Sequence, residues 1–286
     1  MEQGGNRHWQ GRTDGTDWMQ QTLVRLCGFL PLWLLYGMMA MVVPFYVVFR
    51  KNNSQAIYNF YRRRMKYNTA KSVYMTCVNH FCFGQVVMDR FASFAGKRFE
   101  FEKVGFERFE KYDNEEPGIL ILTAHVGCYE LAGYTLDSKK QFSTLFFAGE
   151  TKTVMENRAR LFAKNNIRVI VAGEDMSHIF AIHNAIGAGE IVSIYADRLF
   201  GSRKVVECDF LGEKAAFPAG PFVVGKIHRV PILALFVTKK GMRCYKAEVK
   251  EVNDAQGFAE MLEETVRQNP EQWFNYFDFW EDGKAA

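Results

Sequence analysis

Between residues 118 and 196 the chain repeats one pattern: a short apolar run, then a stretch with helical spacing. The runs are Ile119–Thr123, Thr144–Ala148, Arg168–Ala172 and Ile191–Ala196, with helices expected near Tyr129–Leu136, Val154–Lys164 and Met176–Ala188. Strands alternating with helices of about 10 to 15 residues imply βαβ units and a largely parallel sheet with right-handed connections. Ile119–Leu122 is apolar at every position, which marks a strand buried on both faces. Further on, the pattern predicts strands at Val205–Phe210, Val230–Thr238 and Tyr245–Val249. It also predicts a short helix at Phe222–His228 and a terminal helix over Asp254–Gln268, with Asp254 as its N-cap. The expected fold class is α/β, a largely parallel central sheet with flanking helices, preceded by an apolar N-terminal membrane-associating helix region.

That region has a different pattern. From Leu26 to Phe49 there is no charged residue and no Asn, Gln, Ser or Thr. The stretch is long enough to cross a bilayer, for which about 20 residues suffice. Pro31 could open such a helix, and Pro44 would kink it near its end. Two readings stay open: a spanning or re-entrant anchor, or a hydrophobic helix pair lying on the membrane or on the catalytic domain. Trp9 and Trp18 precede the run and fit either a membrane interface or the domain surface. Arg50, Lys51, Arg62, Arg63, Arg64, Lys66 and Lys71 follow it. They favour a cytoplasmic position for what comes next and would attract anionic headgroups. Residues 54 to 78 read as one helix, with Tyr58, Tyr61, Met65 and Asn68 on one face, and residues 80 to 96 as another. Phe99–Lys111 alternates aromatic and charged residues, as an edge strand does, and 113–118 is a turn. Three parts result: a polar segment 1–25, a membrane-associating apolar and basic helical region 26–75, and an α/β domain 76–286.

Composition narrows the chemistry. The 286 residues carry a net charge of only +4, so nothing calls for nucleic acid. With 48% hydrophobic residues the chain can build a large core. The six cysteines form neither a C-x-x-C pair nor a cluster with histidine at zinc spacing, so neither a disulfide framework nor a metal site is expected.

The densest candidate chemistry follows the buried strand. His125 comes two residues after Thr123, then Gly127, Cys128 and Glu130 at the start of a helix. In open α/β sheets ligands bind beyond the carboxyl ends of the strands. A histidine there suits a general base, because its ordinary pKa of about 6.5 lies near neutrality. A carboxylate such as Glu130 would hold the ring and stabilise the imidazolium. There is no G-x-S-x-G elbow to supply a serine nucleophile. Cys128 could attack as a thiolate, but packing explains it better. Direct transfer to an acceptor deprotonated by His125 is the chemistry that remains. His178 and His183 share a helix and are not assigned to catalysis. His80 could border the site.

In this order of features the chain resembles the late acyltransferases of lipid A biosynthesis, lauroyl- and myristoyl-transferase-like, within the lysophospholipid acyltransferase group. The resemblance runs from about Gly118 to Trp280. It rests on His125-Val126-Gly127-Cys128-Tyr129-Glu130, on Arg158 in a following helix and on Asp197-Arg198 after a later strand. Phe210-Leu211-Gly212, Ala216-Phe217-Pro218-Ala219-Gly220 and Pro270-Glu271-Gln272-Trp273-Phe274 complete it. It implies that Arg158 and Asp197 join His125 and Glu130 in catalysis. Arg198 and Gly127 are expected at the substrate. The tail departs from the pattern: His and Arg are usual after its Trp, but here it reads Asn275-Tyr276-Phe277-Asp278-Phe279-Trp280, and Ala219 stands where a related branch has Glu in a phosphate-binding block.

The expected activity is transfer of a fatty acyl group from an acyl carrier protein or coenzyme A thioester to a hydroxyl or amine of a lipid acceptor, without metal or cofactor. Lipid A-type secondary acylation follows from the resemblance. A lysophospholipid, an amino-acid lipid or a polyene acceptor is the alternative, and a non-catalytic lipid-binding protein of the same fold is the rival from another class. The expected location is the inner membrane, with the catalytic domain on its cytoplasmic face.

Overall fold

The computed structural model describes residues 17–49, 51–128, 130–131, 138–147, 162, 166–172, 177–199 and 204–282. The helices expected near Tyr129–Leu136 and Val154–Lys164 fall almost entirely outside these residues.

Seven strands form the central sheet, in the order β1-β9-β8-β2-β5-β3-β4. They are β1 (Glu100–Val104), β2 (Ile119–Thr123), β3 (Phe142–Phe147), β4 (Ile167–Ala172), β5 (Ile191–Tyr195), β8 (Ile232–Lys239) and β9 (Cys244–Glu251). Every pairing is parallel except β8 with β9. The expected mixed α/β fold with a mostly parallel sheet is present, and β1 lies at an edge as its alternation implied. The strand there is shorter than the alternating stretch, because Gly105, at φ 73, turns the chain into a helix, α5 (Phe106–Asp113).

β2 lies inside the sheet, between β8 and β5. Leu120 and Leu122 pack into the core on one face, Ile119 and Ile121 into that on the other, and all four are at most 1% exposed. Both faces are covered, which is why the run carries no polar alternation. The helices α6 (Ser177–Gly187), α7 (Gly220–His228) and α8 (Ala255–Gln268) cover one face. Asp254 caps α8 by accepting from Gly257 N at 2.8 Å.

Upstream, α1 (Asp17–Phe29) and α2 (Leu32–Phe49) lead into α3 (Lys51–Asn59), a π-helical turn (Phe60–Arg64) and α4 (Thr69–Phe94). α2 continues through Pro44. Two expectations are corrected here. The helix expected over 54–78 is interrupted, since Asn68 is not on a helix face but caps α4, its side chain accepting from Lys71 N at 2.9 Å. α4 then runs unbroken across 79 and 80, because Asn79 and His80 are buried and bonded rather than helix-ending. α4 also runs through the expected boundary at 75/76. A small second sheet pairs β6 (Val205–Phe210) with β7 (Glu213–Pro218), a strand not foreseen. Its two-residue turn, Leu211-Gly212, has positive φ at both positions, as tight hairpins require.

Candidate active site

Register brings the site together. β2 and β5 are parallel neighbours with Thr123 beside Tyr195. Ala196 N donates to Thr123 O at 2.9 Å and carries the pairing one residue further. His125 and Asp197 lie two residues past these partners and so leave the same edge at the same level. The carboxylate takes the histidine twice: Oδ2 accepts from the His125 backbone N at 2.8 Å, and Oδ1 meets ring Nδ1 at 2.8 Å. The Asp197 side chain is fully buried, while that of His125 keeps 12% exposure. The His125 ring also lies 4.9 Å, centroid to centroid, from Tyr195.

The residues after His125 are fastened on both sides. Val126 bridges Trp273, His125 O accepts from Phe274 N at 2.8 Å, and Gly127 N donates to Gln272 O at 2.8 Å. Cys128 N donates to Val237 O, at the end of β8, at 2.7 Å. The C-terminal tail thus adds an antiparallel rung to the motif. Arg198 locks it. Its Nη2 donates to Phe274 O at 3.0 Å, its Nη1 to Asn275 Oδ1, and its guanidinium lies 4.3 Å from the centre of the Phe277 ring.

The electrostatics follow from burial and these contacts. Burial alone would raise the Asp197 carboxyl. The His125 ring, its hydrogen bonds and the Arg198 charge outweigh it, holding Asp197 below the ordinary carboxylate range. Burial pulls the His125 imidazole below the ordinary histidine range; Asp197 opposes the shift and Arg198 adds to it. Arg198 Nε lies 3.3 Å from Nδ1, yet the closer, ionised carboxylate claims that nitrogen's proton. A neutral ring with its proton on Nδ1 has its basic lone pair on Nε2.

Several expectations change. The carboxylate on the imidazole is Asp197 rather than Glu130. Glu130 Oε1 instead accepts from Arg90 Nη1 of α4 at 2.6 Å, with both side chains largely buried. Gly127 is not placed to bind substrate through its N–H, which Gln272 takes. Its need for glycine is structural, with φ at 60° and an added Cβ only 2.1 Å from Val237 O. Arg198, expected at the substrate, holds the tail. Arg158 lies outside the described residues. Burial, followed by Asp89 and Glu130, pushes the Cys128 thiol far up, which argues against a thiolate nucleophile. His80 is buried on α4, where its Nδ1 meets Thr76 O at 2.8 Å and its ring lies 5.1 Å from Tyr276. Among the described residues no group of three or more His, Cys, Asp or Glu could hold a metal. Sequence reasoning missed the role of Arg90, 40 positions from Glu130, and the pairing of Asn275, singled out only as a departure in the tail, with Arg198 77 positions away. No local signal gives either pairing.

A mostly parallel sheet that presents a carboxylate-held histidine beyond its central strands is an α/β fold with a candidate acid-base group on the carboxyl edge. More particularly, the chain belongs to the bacterial lipid A biosynthesis acyltransferase family, whose model matches residues 95–280. The match spans β1 through the tail and includes His125, Glu130, Asp197 and Arg198, while Arg90 and His80 lie before it. No curated protein matches the chain.

Proposed function

We propose that this protein moves a fatty acyl group from an acyl carrier protein or coenzyme A thioester to a hydroxyl or amine of a lipid acceptor at the membrane, as in lipid A-type secondary acylation. The observation that carries the reading is the double contact of Asp197 with His125. It holds the ring in one orientation and tautomer. Nε2 of His125 takes the proton of the acceptor O–H or N–H as that atom attacks the thioester carbonyl carbon. The new C–O or C–N bond forms, the C–S bond breaks, and the proton passes from the imidazolium to the departing thiolate. Asp197 stays ionised and stabilises the imidazolium meanwhile. By resemblance Arg158 would face an anionic group of a substrate, a use suited to its bidentate fork.

The family supports an acyl donor and a lipid acceptor in general terms. The tail favours keeping the acceptor broad, because it lacks the His and Arg usual after the Trp and its Asn275 is bound inward to Arg198. Membrane association and a cytoplasmic catalytic face are supported by α2, the one helix among the described residues long and apolar enough to cross a membrane, and by the basic residues that follow it.

The test is His125→Ala in purified, folded enzyme with acyl-thioester donors and extracted lipid acceptors. Loss of a general base should slow turnover by roughly 10²–10⁴-fold. Turnover close to that of the parent would sink the mechanism. Thioester cleavage that ignores added lipid would instead make the protein a thioesterase.

A further inference from the structure

The structure places α2 in a setting that a spanning helix could not occupy. Resting on the membrane association proposed above, we propose that α2 lies in the plane of an anionic lipid surface and does not cross the bilayer.

α2 runs antiparallel along α4. Tyr36 donates to Asp89, Met39 sits against Gly84, where an added Cβ would lie 2.5 Å from its Cε, and the Tyr46 ring is 6.3 Å from that of His80. Before α2, Gly28 continues the pairing toward Ala95. The contact therefore extends along most of α2, and Leu32, Leu35, Tyr36 and Val43 are buried.

α4 is in turn fixed to the catalytic core. Asn79 donates to Glu271 O at 3.1 Å and to Trp273 O at 3.0 Å. The Phe83 ring lies 5.2 Å from Phe274, and Arg90 binds Glu130. Asp89 accepts from Lys239 of β8 and from Tyr245 of β9. A bilayer crossed by α2 would have to admit α4 beside it. With α4 would come Asn79, His80, Asp89, Arg90 and the sheet they grip. Polar and charged groups in that number do not enter hydrocarbon.

What α2 offers instead is one face. Trp33, Met41, Phe45, Val48 and Phe49 are 59–79% exposed. At 18 residues the helix is about 27 Å long, and a run of exposed large apolar side chains along it marks an interaction surface. The end of α2 leads into the basic cluster. Arg62, Arg63, Lys66 and Lys71 are exposed there, beside Val73 and Tyr74, themselves 53% and 66% exposed. An apolar ridge bordered by cations matches the boundary between acyl chains and anionic headgroups. Such an arrangement would bring the His125 edge to lipid without α2 crossing the bilayer.

Two measurements decide. In the first, the full chain carries an epitope tag ahead of Met1 and is expressed into sealed inner-membrane vesicles, right-side-out or inverted. An impermeant protease should reach tag and catalytic domain in the inverted vesicles and neither in the right-side-out ones. A tag cleaved on the face opposite the domain would overturn the proposal. A chain absent from the membrane fraction would instead remove the membrane reading beneath it. In the second, the purified full chain is floated with phosphatidylcholine vesicles with or without phosphatidylglycerol. Replacing Arg63, Lys66 and Lys71 together by Gln should weaken binding to the anionic vesicles by roughly 100-fold, about fivefold per charge, and leave neutral vesicles unaffected. Trp33→Glu with Phe45→Glu should weaken both. These side chains are exposed, so the variants should melt as the parent does. Unchanged flotation in all of them, or a second copy of the chain bound at α2 in place of vesicles, would also overturn the proposal.

Discussion

His125 and Asp197 are 72 positions apart and meet because adjacent strands end level. The imidazole is held neutral by burial, and Asp197 is the group pulling its basicity back up. The acid side of the rate profile should therefore fall below the ordinary histidine value of about 6.5, since activity is lost as Nε2 is protonated. Asp197→Asn removes the upward pull and the orienting acceptor together. It should cost up to roughly 10⁴-fold in turnover and move the acid limb to still lower pH. Both are read from kcat/KM against pH; an unmoved limb would separate Asp197 from the base. The same carboxylate ties stability to pH. Its folded pKa lies below its unfolded value, so its contribution is complete above the ordinary carboxylate range and disappears as pH falls through the folded pKa. Glu130 makes the contrast. Glu130→Gln weakens the contact with Arg90 and should cost about 2–4 kcal/mol of stability while leaving the acid limb where it was. A shifted limb in that variant would return the orienting role to Glu130. Glu130 was the natural candidate in sequence because it lies five residues from His125, but proximity along a chain does not fix where a side chain points. His125 was legible because it follows a buried apolar strand, and Asp197, named through the resemblance, follows another strand of the same sheet; Arg90 sits on a helix whose packing no periodicity reveals.

At the scale of elements, the strands were read well because burial on both faces leaves an unbroken apolar run, as in Ile119–Leu122. The failures arise where a residue or turn plays a part other than the one its local pattern suggests. Asn79 and His80 resemble a break between helices, yet they continue α4 and bind the tail and their own helix. Asn68 falls at helical spacing from Tyr61 and Met65, but the π-helical turn ends at Arg64 and leaves Asn68 free to cap. β7 escaped notice because its turn is Leu211-Gly212 rather than an Asn-Gly or Asp-Gly pair. The motif segment shows the opposite case, where one small residue is dictated by its neighbours. Gly127→Ala sets a side chain against the Val237 carbonyl in a left-handed backbone. It should destabilise the protein by about 2–5 kcal/mol, visible as a lower melting temperature and a poor yield of folded enzyme. A variant as stable as the parent would mean that residues 125–128 are not clamped against β8.

Across the whole molecule, one of the links that join the helical region to the sheet is a buried charge. Asp89, fully buried on α4, accepts from Tyr36 of α2, Lys239 of β8 and Tyr245 of β9. Burial raises its pKa, and the Lys239 charge with these three hydrogen bonds works against that rise. Four elements distant in sequence therefore depend on one carboxylate. Pairing of this kind contributes little net stability over an apolar substitute, but breaking it from one side leaves a buried charge uncompensated. Lys239→Met should therefore cost about 3–5 kcal/mol in denaturant unfolding of the detergent-solubilised protein. Combined with Asp89→Leu it should recover much of that loss, because neither charge then remains. Simple addition of the two single-variant losses would show that the residues do not act as a pair. If the network is also what registers α2 against the sheet, the double variant should regain stability without regaining the anchoring of Tyr36. It would then unfold near the parent's midpoint and bind anionic vesicles less tightly, a separation that only a joint between membrane face and catalytic core would produce.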